Sequence, residues 1–188
     1  MKPLLPTAVL SLLFATALTS GISQTAETGA PLKTRALLSA GGKPLKIVCF
    51  GDSVTGLYYH TGGRRAYPEL LAEAIREAHP DTSVTVINSG RSGHTTANGL
   101  GRIVSDVLTH RPHLVTIMFG LNDVAKLPIG AFRENLIDIV SKCRGIGAEV
   151  ILCTPNAVLT TTERPVEKVV AYAAVLRAVA REVQVPLC

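Results

Sequence analysis

The length, composition and charge of the chain exclude several classes of protein. Its 188 residues suffice for one domain with a hydrophobic core but hardly for two. The hydrophobic fraction of 47% and the charged fraction of 18% are typical of a globular protein and exclude a disordered one. The net charge of +5 is mild, and Arg64-Arg65 is the only adjacent pair of basic residues, so a solvated surface is favoured over a nucleic-acid-binding patch.

The N-terminus has the pattern of a signal peptide, which we assign to residues 1–23. Lys2 provides a positive charge, residues 8–18 are almost entirely apolar, and small residues follow up to Ser23. The apolar segment is too short to span a bilayer comfortably, which favours cleavage over a retained membrane anchor. We therefore expect a secreted or periplasmic protein with no stable membrane insertion after cleavage, in which residues 24–43 form a linker.

From Pro44 onwards, apolar runs of strand length alternate with segments of helical periodicity. Such alternation predicts βαβ units with right-handed crossovers, and therefore a parallel sheet between two layers of helices. The chain stops where a fifth strand begins, so we expect the last strand and helix of the domain 44–188 to be missing. The predicted elements are strand 46–50, helix 67–78, strand 84–88, a helix capped by Thr95 or Thr96 that runs to 108, strand 114–118, helix 132–143, strand 150–153, helix 166–183 and the beginning of a strand at 185–188.

Polar motifs follow the first three predicted strands. They are Gly51-Asp52-Ser53, the loop 88–93 and the segment 120–123. Because ligands bind outside the carboxyl ends of parallel strands, we expect these motifs to converge on one site.

The residue types in these motifs are those that acyl transfer requires. Ser53 in a sharp turn after a strand is suited to be a nucleophile, while the Gly93 N–H and the Asn122 amide are suited to bind an oxyanion. Taken singly, Ser53 could equally cap a helix, and the other two could be ordinary turn residues. Their joint position after three successive strands favours the catalytic interpretation.

The three motifs together resemble the sequence blocks of the SGNH hydrolases, the GDSL-like lipases and esterases. Gly51 to Thr55 resembles the first block, Asn88 to Gly93 the second, and Gly120-Leu121-Asn122-Asp123 the third. The resemblance implies an α/β fold, a three-layer α/β/α sandwich with a flavodoxin-like parallel sheet, and no cofactor or metal. It also implies that the Ser53 N–H, the Gly93 N–H and the Asn122 side chain hold the oxyanion, with Asp52 and Asp123 shaping their turns.

The family's fourth block, Asp-x-x-His, does not occur in the 188 residues. None of the five histidines stands at that block's position, so the catalytic histidine is expected beyond Cys188. His60 and His94 lie in loops that face the predicted site. For both, a solvated loop histidine is favoured over a substrate contact, because no carboxylate is paired with them in the sequence pattern.

The cysteine pattern does not predict a metal site, since no Cys-x-x-Cys or Cys/His spacing occurs. Cys49 and Cys153 lie in predicted core strands, where packing as small apolar residues is favoured. Whether Cys143 and Cys188 form disulfides is left open.

The sequence and the resemblance together predict a serine ester hydrolase that acts through an acyl-Ser53 intermediate. By analogy with the family, we expect O-acyl, and especially acetyl, esters of carbohydrate as substrates, either small molecules or polysaccharides. Lipid esters or thioesters are an alternative within the enzyme class. A non-catalytic carbohydrate-binding domain of the same fold is an alternative from another class.

Overall fold

The structure, a computed structural model, describes residues 33–56 and 60–188. The predicted signal peptide and the linker up to residue 32 lie outside this part of the chain. The described elements are α1 Lys33–Ala40, β1 Leu45–Gly51, α2 Tyr67–Ala78, β2 Val84–Gly90, α3 Thr96–Asp106, a 3₁₀ turn Leu108–His110, β3 Leu114–Met118, α4 Leu121–Lys126, α5 Ile129–Gly145, β4 Glu149–Leu152 and α6 Val166–Glu182.

The four strands form one parallel sheet in the order β2-β1-β3-β4. The last residues of the chain continue the sheet beyond β4, because Leu187 bridges Leu152 in parallel and the Cys188 N–H donates to the Leu152 carbonyl at 2.9 Å. The strand order reverses between β1 and β3, which is where open α/β sheets bind their ligands. The predicted fold class is confirmed.

Alternate residues of the strands build a core on each side of the sheet. On one face Val48 and Ile117 pack against α3, α5 and α6. Leu136 of α5 and Leu176 of α6 are fully buried in this core. On the other face the alternate residues of β1 pack against α1 and α2. The result is a three-layer sandwich whose sheet is apolar on both sides, as expected for parallel strands covered by helices.

Helix starts agree with the sequence where a local cap determines them. The hydroxyl of Thr95 accepts from the Asn98 N–H at 3.4 Å, and the Asn98 side chain accepts from the Thr95 N–H at 3.0 Å. This reciprocal cap begins α3 at Thr96, and Thr95 is one of the two residues that the sequence predicts as the cap.

Part of the predicted linker 24–43 is wrong, because Lys33–Ala40 forms helix α1. The Glu149 carboxylate at the start of β4 accepts from the Lys33 N–H, from the Thr34 N–H at 2.8 Å and from the Thr34 hydroxyl. These contacts satisfy backbone donors that an isolated helix start leaves unpaired. Leu37 and Leu38 also pack beside β1. The contacts with Glu149 come from a residue 115 positions away from Thr34, which local sequence patterns do not reveal.

All four cysteines lie in the described part of the chain, and none of them forms a disulfide. Cys49 and Cys143 are fully buried, while Cys188 is exposed beside Cys153. Burial raises the pKa of Cys143 to about 12, so its thiol stays protonated near neutral pH.

The longest helices, α5 and α6, have 17 residues each. No helix in the described ranges has the length and apolar character needed to cross a membrane.

Candidate active site

Ser53 lies in a tight turn directly after β1. The Asp52 N–H donates to the Met118 carbonyl at the end of β3 at 3.3 Å, and the Asp52 carbonyl accepts from the Gly56 N–H at 3.0 Å. These bonds hold both ends of the turn, and Ser53 is 9% exposed. A methyl group at Gly51 would come within 2.5 Å of the Met118 carbonyl oxygen, so the close approach of β1 to β3 requires glycine there.

A buried guanidinium, that of Arg102 on α3, fixes the strand end that precedes the turn. Its Nη2 donates to the Gly51 carbonyl at 2.8 Å and its Nη1 to the Ser89 carbonyl at 2.9 Å, which ties β1 to β2. Asp106 accepts a further bond from Nη1 at 2.8 Å, and the Phe50 ring lies 4.5 Å below the guanidinium carbon. The buried charge is therefore paired, as a buried charge must be.

The Asp52 carboxyl group is oriented within its own turn. Its Oδ1 accepts from the Val54 N–H at 2.9 Å, and the residue is 2% exposed. Burial raises the pKa of Asp52 to about 6, and the charge of Asp123 adds to this rise. The Val54 N–H and the charges of His60 and Arg164 act in the opposite direction.

Gly93 lies in the loop after β2 with φ of +76°, in the left-handed region where glycine is favoured. The Lys126 ammonium at the end of α4 donates to the Gly93 carbonyl at 2.8 Å. A turn closed by the His94 N–H and the Arg91 carbonyl, 3.3 Å apart, surrounds this position. The backbone at Gly93 is therefore held from both sides.

Asn122 lies in the first turn of α4, a short helix in a segment that the sequence predicts only as a polar loop. The side chain is 5% exposed. Its Nδ2 donates to the His94 carbonyl at 3.0 Å, and its Oδ1 accepts from Arg164 Nη2 at 3.2 Å. The amide nitrogen carries two hydrogens, so one donor remains after the bond to His94.

The neighbouring Asp123 is fully buried and points towards α3. Its Oδ1 accepts from the Thr96 N–H at 2.9 Å and from the Thr96 hydroxyl at 2.5 Å. The Asn135 side chain on α5 donates to the same hydroxyl at 3.0 Å. These hydrogen bonds connect α4 to α3 and α5. Burial raises the pKa of Asp123, although the hydrogen bonds to its carboxylate act in the opposite direction.

The structure brings the three predicted motifs together at the carboxyl edge of the sheet. Hydrogen bonds between residues in or next to these motifs connect the three segments that carry Ser53, Gly93 and Asn122. Three bonds connect the loops pairwise: the Arg91 N–H to the Gly51 carbonyl at 3.1 Å, the Asn122 amide to the His94 carbonyl at 3.0 Å, and the Asp52 N–H to the Met118 carbonyl at 3.3 Å.

His60 is the main difference between sequence and structure at this site. Its Nε2 lies 3.1 Å from Ser53 Oγ, within hydrogen-bond distance, although the sequence favoured a solvated loop histidine. The only sequence signal was its position seven residues after Ser53 in the same loop. His94, by contrast, contributes its backbone carbonyl, and burial, together with the charges of Arg102 and Arg91, lowers the pKa of its imidazole.

No group of three or more His, Cys, Asp or Glu side chains within residues 33–56 and 60–188 is placed to hold a metal ion. The groups that the structure brings near Ser53 and Asn122 include the Ser53 hydroxyl, the His60 imidazole and the Asn122 amide.

Comparisons with known proteins agree with the fold and the motifs. The model of the GDSL-like lipase/acylhydrolase family matches residues 49–188. An arylesterase of Vibrio mimicus is 36% identical over 108 residues, 57% of this chain and 52% of that protein. An acetylxylan esterase of Geobacillus stearothermophilus is 27% identical over 164 residues, 75% of this chain and 74% of that protein.

A lipase/acylhydrolase of Enterococcus faecalis has a similar crystal structure, with a TM-score of 0.68 and 33% identity. The similarity covers 76% of this chain and 74% of that one. The chain spans about half the length of two of the curated relatives that it matches, 52% and 47%. Three motifs at one sheet edge, the family-model match and the shared fold have one explanation: the chain belongs to the GDSL-like lipase/acylhydrolase family.

Proposed function

We propose that the protein hydrolyses carboxylic esters through an acyl-Ser53 intermediate. The observation that carries this proposal is the contact of 3.1 Å between Ser53 Oγ and an imidazole nitrogen, in a turn whose neighbouring segments carry Gly93 and Asn122. A hydroxyl beside a base, with amide donors nearby, is the arrangement that nucleophilic acyl transfer requires.

The proposed reaction has two halves. Ser53 Oγ forms a bond to the ester carbonyl carbon while its proton passes to the base, and the carbonyl electron pair moves onto oxygen. The Ser53 N–H, the Gly93 N–H and the free hydrogen of Asn122 Nδ2 stabilise that oxyanion. Collapse of the intermediate expels the alcohol, which takes the proton from the base. Water then gives a proton to the base and attacks the acyl carbon. The carboxylic acid leaves as the bond to Ser53 Oγ breaks, and the base returns the proton to that oxygen.

We assign the proton transfer to His60 Nε2 on the basis of its contact with Ser53. The family resemblance would instead take the base from an Asp-x-x-His block, a motif that the 188 residues do not contain. General base catalysis by a positioned side chain contributes on the order of 10²–10⁴-fold. Replacement of His60 by glutamine should therefore lower kcat by at least the lower figure.

As the substrate class we propose O-acetyl esters of carbohydrate. Two observations support this choice: the export pattern of residues 1–23, and the acetylxylan esterase of Geobacillus stearothermophilus among the relatives. The arylesterase of Vibrio mimicus supports a small aryl ester as the alternative. Release of acetate from acetylated xylooligosaccharide, compared with turnover of 4-nitrophenyl acetate and octanoate, distinguishes these substrates.

The test of the function uses the full chain and 4-nitrophenyl acetate. Ser53→Ala should abolish turnover, while Ser141→Ala, an exposed serine on α5, should leave it unchanged. His60→Gln should lower kcat, with His79→Gln at the end of α2 as the matched control. Turnover that persists in Ser53→Ala would overturn the proposed function. Normal turnover in His60→Gln would remove His60 from the mechanism and leave the nucleophile in place.

A further inference from the structure

We propose that Arg164 is a positioning residue that holds the Asn122 amide in the orientation needed to bind the oxyanion. The inference rests on the proposed function, because it concerns the same site. Arg164 lies in the loop between β4 and α6, a segment in which no sequence motif pointed to the reaction.

The geometry of the Arg164 guanidinium carries the proposal. Its Nη2 donates to Asn122 Oδ1 at 3.2 Å, and its Nε donates to the carbonyl of the preceding residue, Leu121, at 2.8 Å. One planar group therefore contacts two consecutive residues at the start of α4. The bond from Nε to the backbone fixes the plane of the guanidinium relative to α4, so that Nη2 has a defined direction towards Asn122 Oδ1, which a flexible ammonium would not have.

The loop holds Arg164 in place through its own turn. The Thr161 N–H donates to the Arg164 carbonyl at 3.2 Å, and the Arg164 N–H donates to the Thr161 hydroxyl at 3.1 Å. Pro165 follows directly and α6 begins at Val166, so the backbone has little freedom at this point. The side chain is half-buried against α4.

The orientation of the Asn122 amide depends on having a donor on one side and an acceptor on the other. A guanidinium has donors only, so it selects Oδ1 as its neighbour. The Nδ2 group must then face the His94 carbonyl, which accepts one of its hydrogens and leaves the other free. Rotation of the amide by half a turn would place Nδ2 against the guanidinium and Oδ1 against a carbonyl, and both hydrogen bonds would be lost.

The charge of Arg164 also acts on the site. A cation bonded to Oδ1 polarises the amide and strengthens the remaining Nδ2–H as a donor. The same charge reaches the nucleophile turn, where it helps to lower the pKa of Asp52 against the larger effect of burial. Orientation and polarisation both act when negative charge develops on the substrate oxygen, so we expect the contribution in kcat rather than in KM.

The first experiment compares Arg164→Met with wild type in ester turnover and thermal unfolding. We expect kcat to fall on the order of 10- to 100-fold at nearly constant KM, with added guanidinium ion restoring part of the loss. Arg144→Met is the matched control, since Arg144 Nη2 also donates to a loop carbonyl, that of Gln184, at 2.9 Å, away from the site. Arg164→Met should add little to the loss in an Asn122→Ala background.

A second measurement does not depend on activity. In the full chain labelled with ¹⁵N-asparagine, the side-chain NH₂ signals of Asn122 should shift in Arg164→Met and not in Arg144→Met. Unchanged NH₂ signals would overturn the inference, as would full additivity of the Arg164 and Asn122 substitutions in kcat. Absence of Ser53-dependent turnover in wild type, with the NH₂ shift present, would instead overturn the proposed function and leave the positioning contact established.

Discussion

Substitution of Gly93 by alanine tests whether the loop after β2 needs the conformation seen in the structure. At φ of +76° an L-residue occupies the left-handed region, which costs roughly 1–2 kcal/mol. The added methyl group would meet only Lys126 Nζ, at 3.9 Å, which is an ordinary van der Waals contact. The reduced freedom of the unfolded chain returns about 0.4–1 kcal/mol. The expected net loss in the free energy of unfolding is therefore about 1 kcal/mol, a decrease of roughly 3 °C in Tm.

Gly93→Ala should cause a large loss of kcat although it lowers the free energy of unfolding only slightly. Relaxation of the strained backbone would rotate the Gly93 N–H away from the oxyanion, and loss of one such donor lowers kcat on the order of 10²–10³-fold. The matched control is Gly101→Ala on α3, where the methyl group meets nothing within 4 Å. There alanine should stabilise the helix by up to about 1 kcal/mol without changing kcat. Calorimetry and ester turnover measure both effects, and a Gly93→Ala variant as active as Gly101→Ala would refute the reasoning.

Three further predictions concern other parts of the molecule. Asn122→Ala should lower kcat on the order of 10²–10³-fold with little change in KM, and steady-state kinetics that show a change only in KM would contradict the oxyanion role. Asp52→Asn should be more stable than wild type at pH 7 by roughly 2–3 kcal/mol, because burial raises the pKa of Asp52 to about 6 and its ionised form destabilises the folded state. Because the Asp52 carboxyl binds its proton more tightly in the folded than in the unfolded state, the stability of the wild type falls as the pH rises from about 4 to 6. The difference in free energy of unfolding between the two proteins, measured in urea, should therefore vanish below pH 4. A difference that does not change with pH would contradict this reasoning. Leu136→Ala, at a fully buried position of α5, should lower the free energy of unfolding by about 2–5 kcal/mol in the same assay, and a loss below 1 kcal/mol would show that the core closes over the missing side chain.

The sequence predicts the sheet and the location of the site well, because both depend on local patterns. β3 and α2 have the predicted bounds, 114–118 and 67–78, since an apolar run or a regular amphipathic period determines each of them. The three polar motifs come together because parallel strands place their carboxyl ends at one edge.

Two of the features that the sequence does not predict depend on contacts between distant segments, and a third depends on the conformation of a loop. The first N–H groups of helix α1 donate to the Glu149 carboxylate, and 115 positions separate Thr34 from Glu149. The contact of Arg164 with Asn122 spans 42 positions and has no motif of its own. His60 is close to Ser53 in sequence, but loop conformation decides whether the imidazole turns towards the hydroxyl, and residue types alone do not determine it.

The most direct test of the central claim is covalent labelling of the protein with a fluorophosphonate, followed by peptide mass spectrometry. The probe phosphonylates an activated serine hydroxyl and displaces fluoride, so it reports the nucleophile without the need for a known substrate. We expect a single modified residue, Ser53, at neutral pH, with no modification in Ser53→Ala and normal modification in Ser141→Ala. Modification of a different serine, or no modification of the folded wild-type chain, would contradict the assignment of Ser53 as the nucleophile.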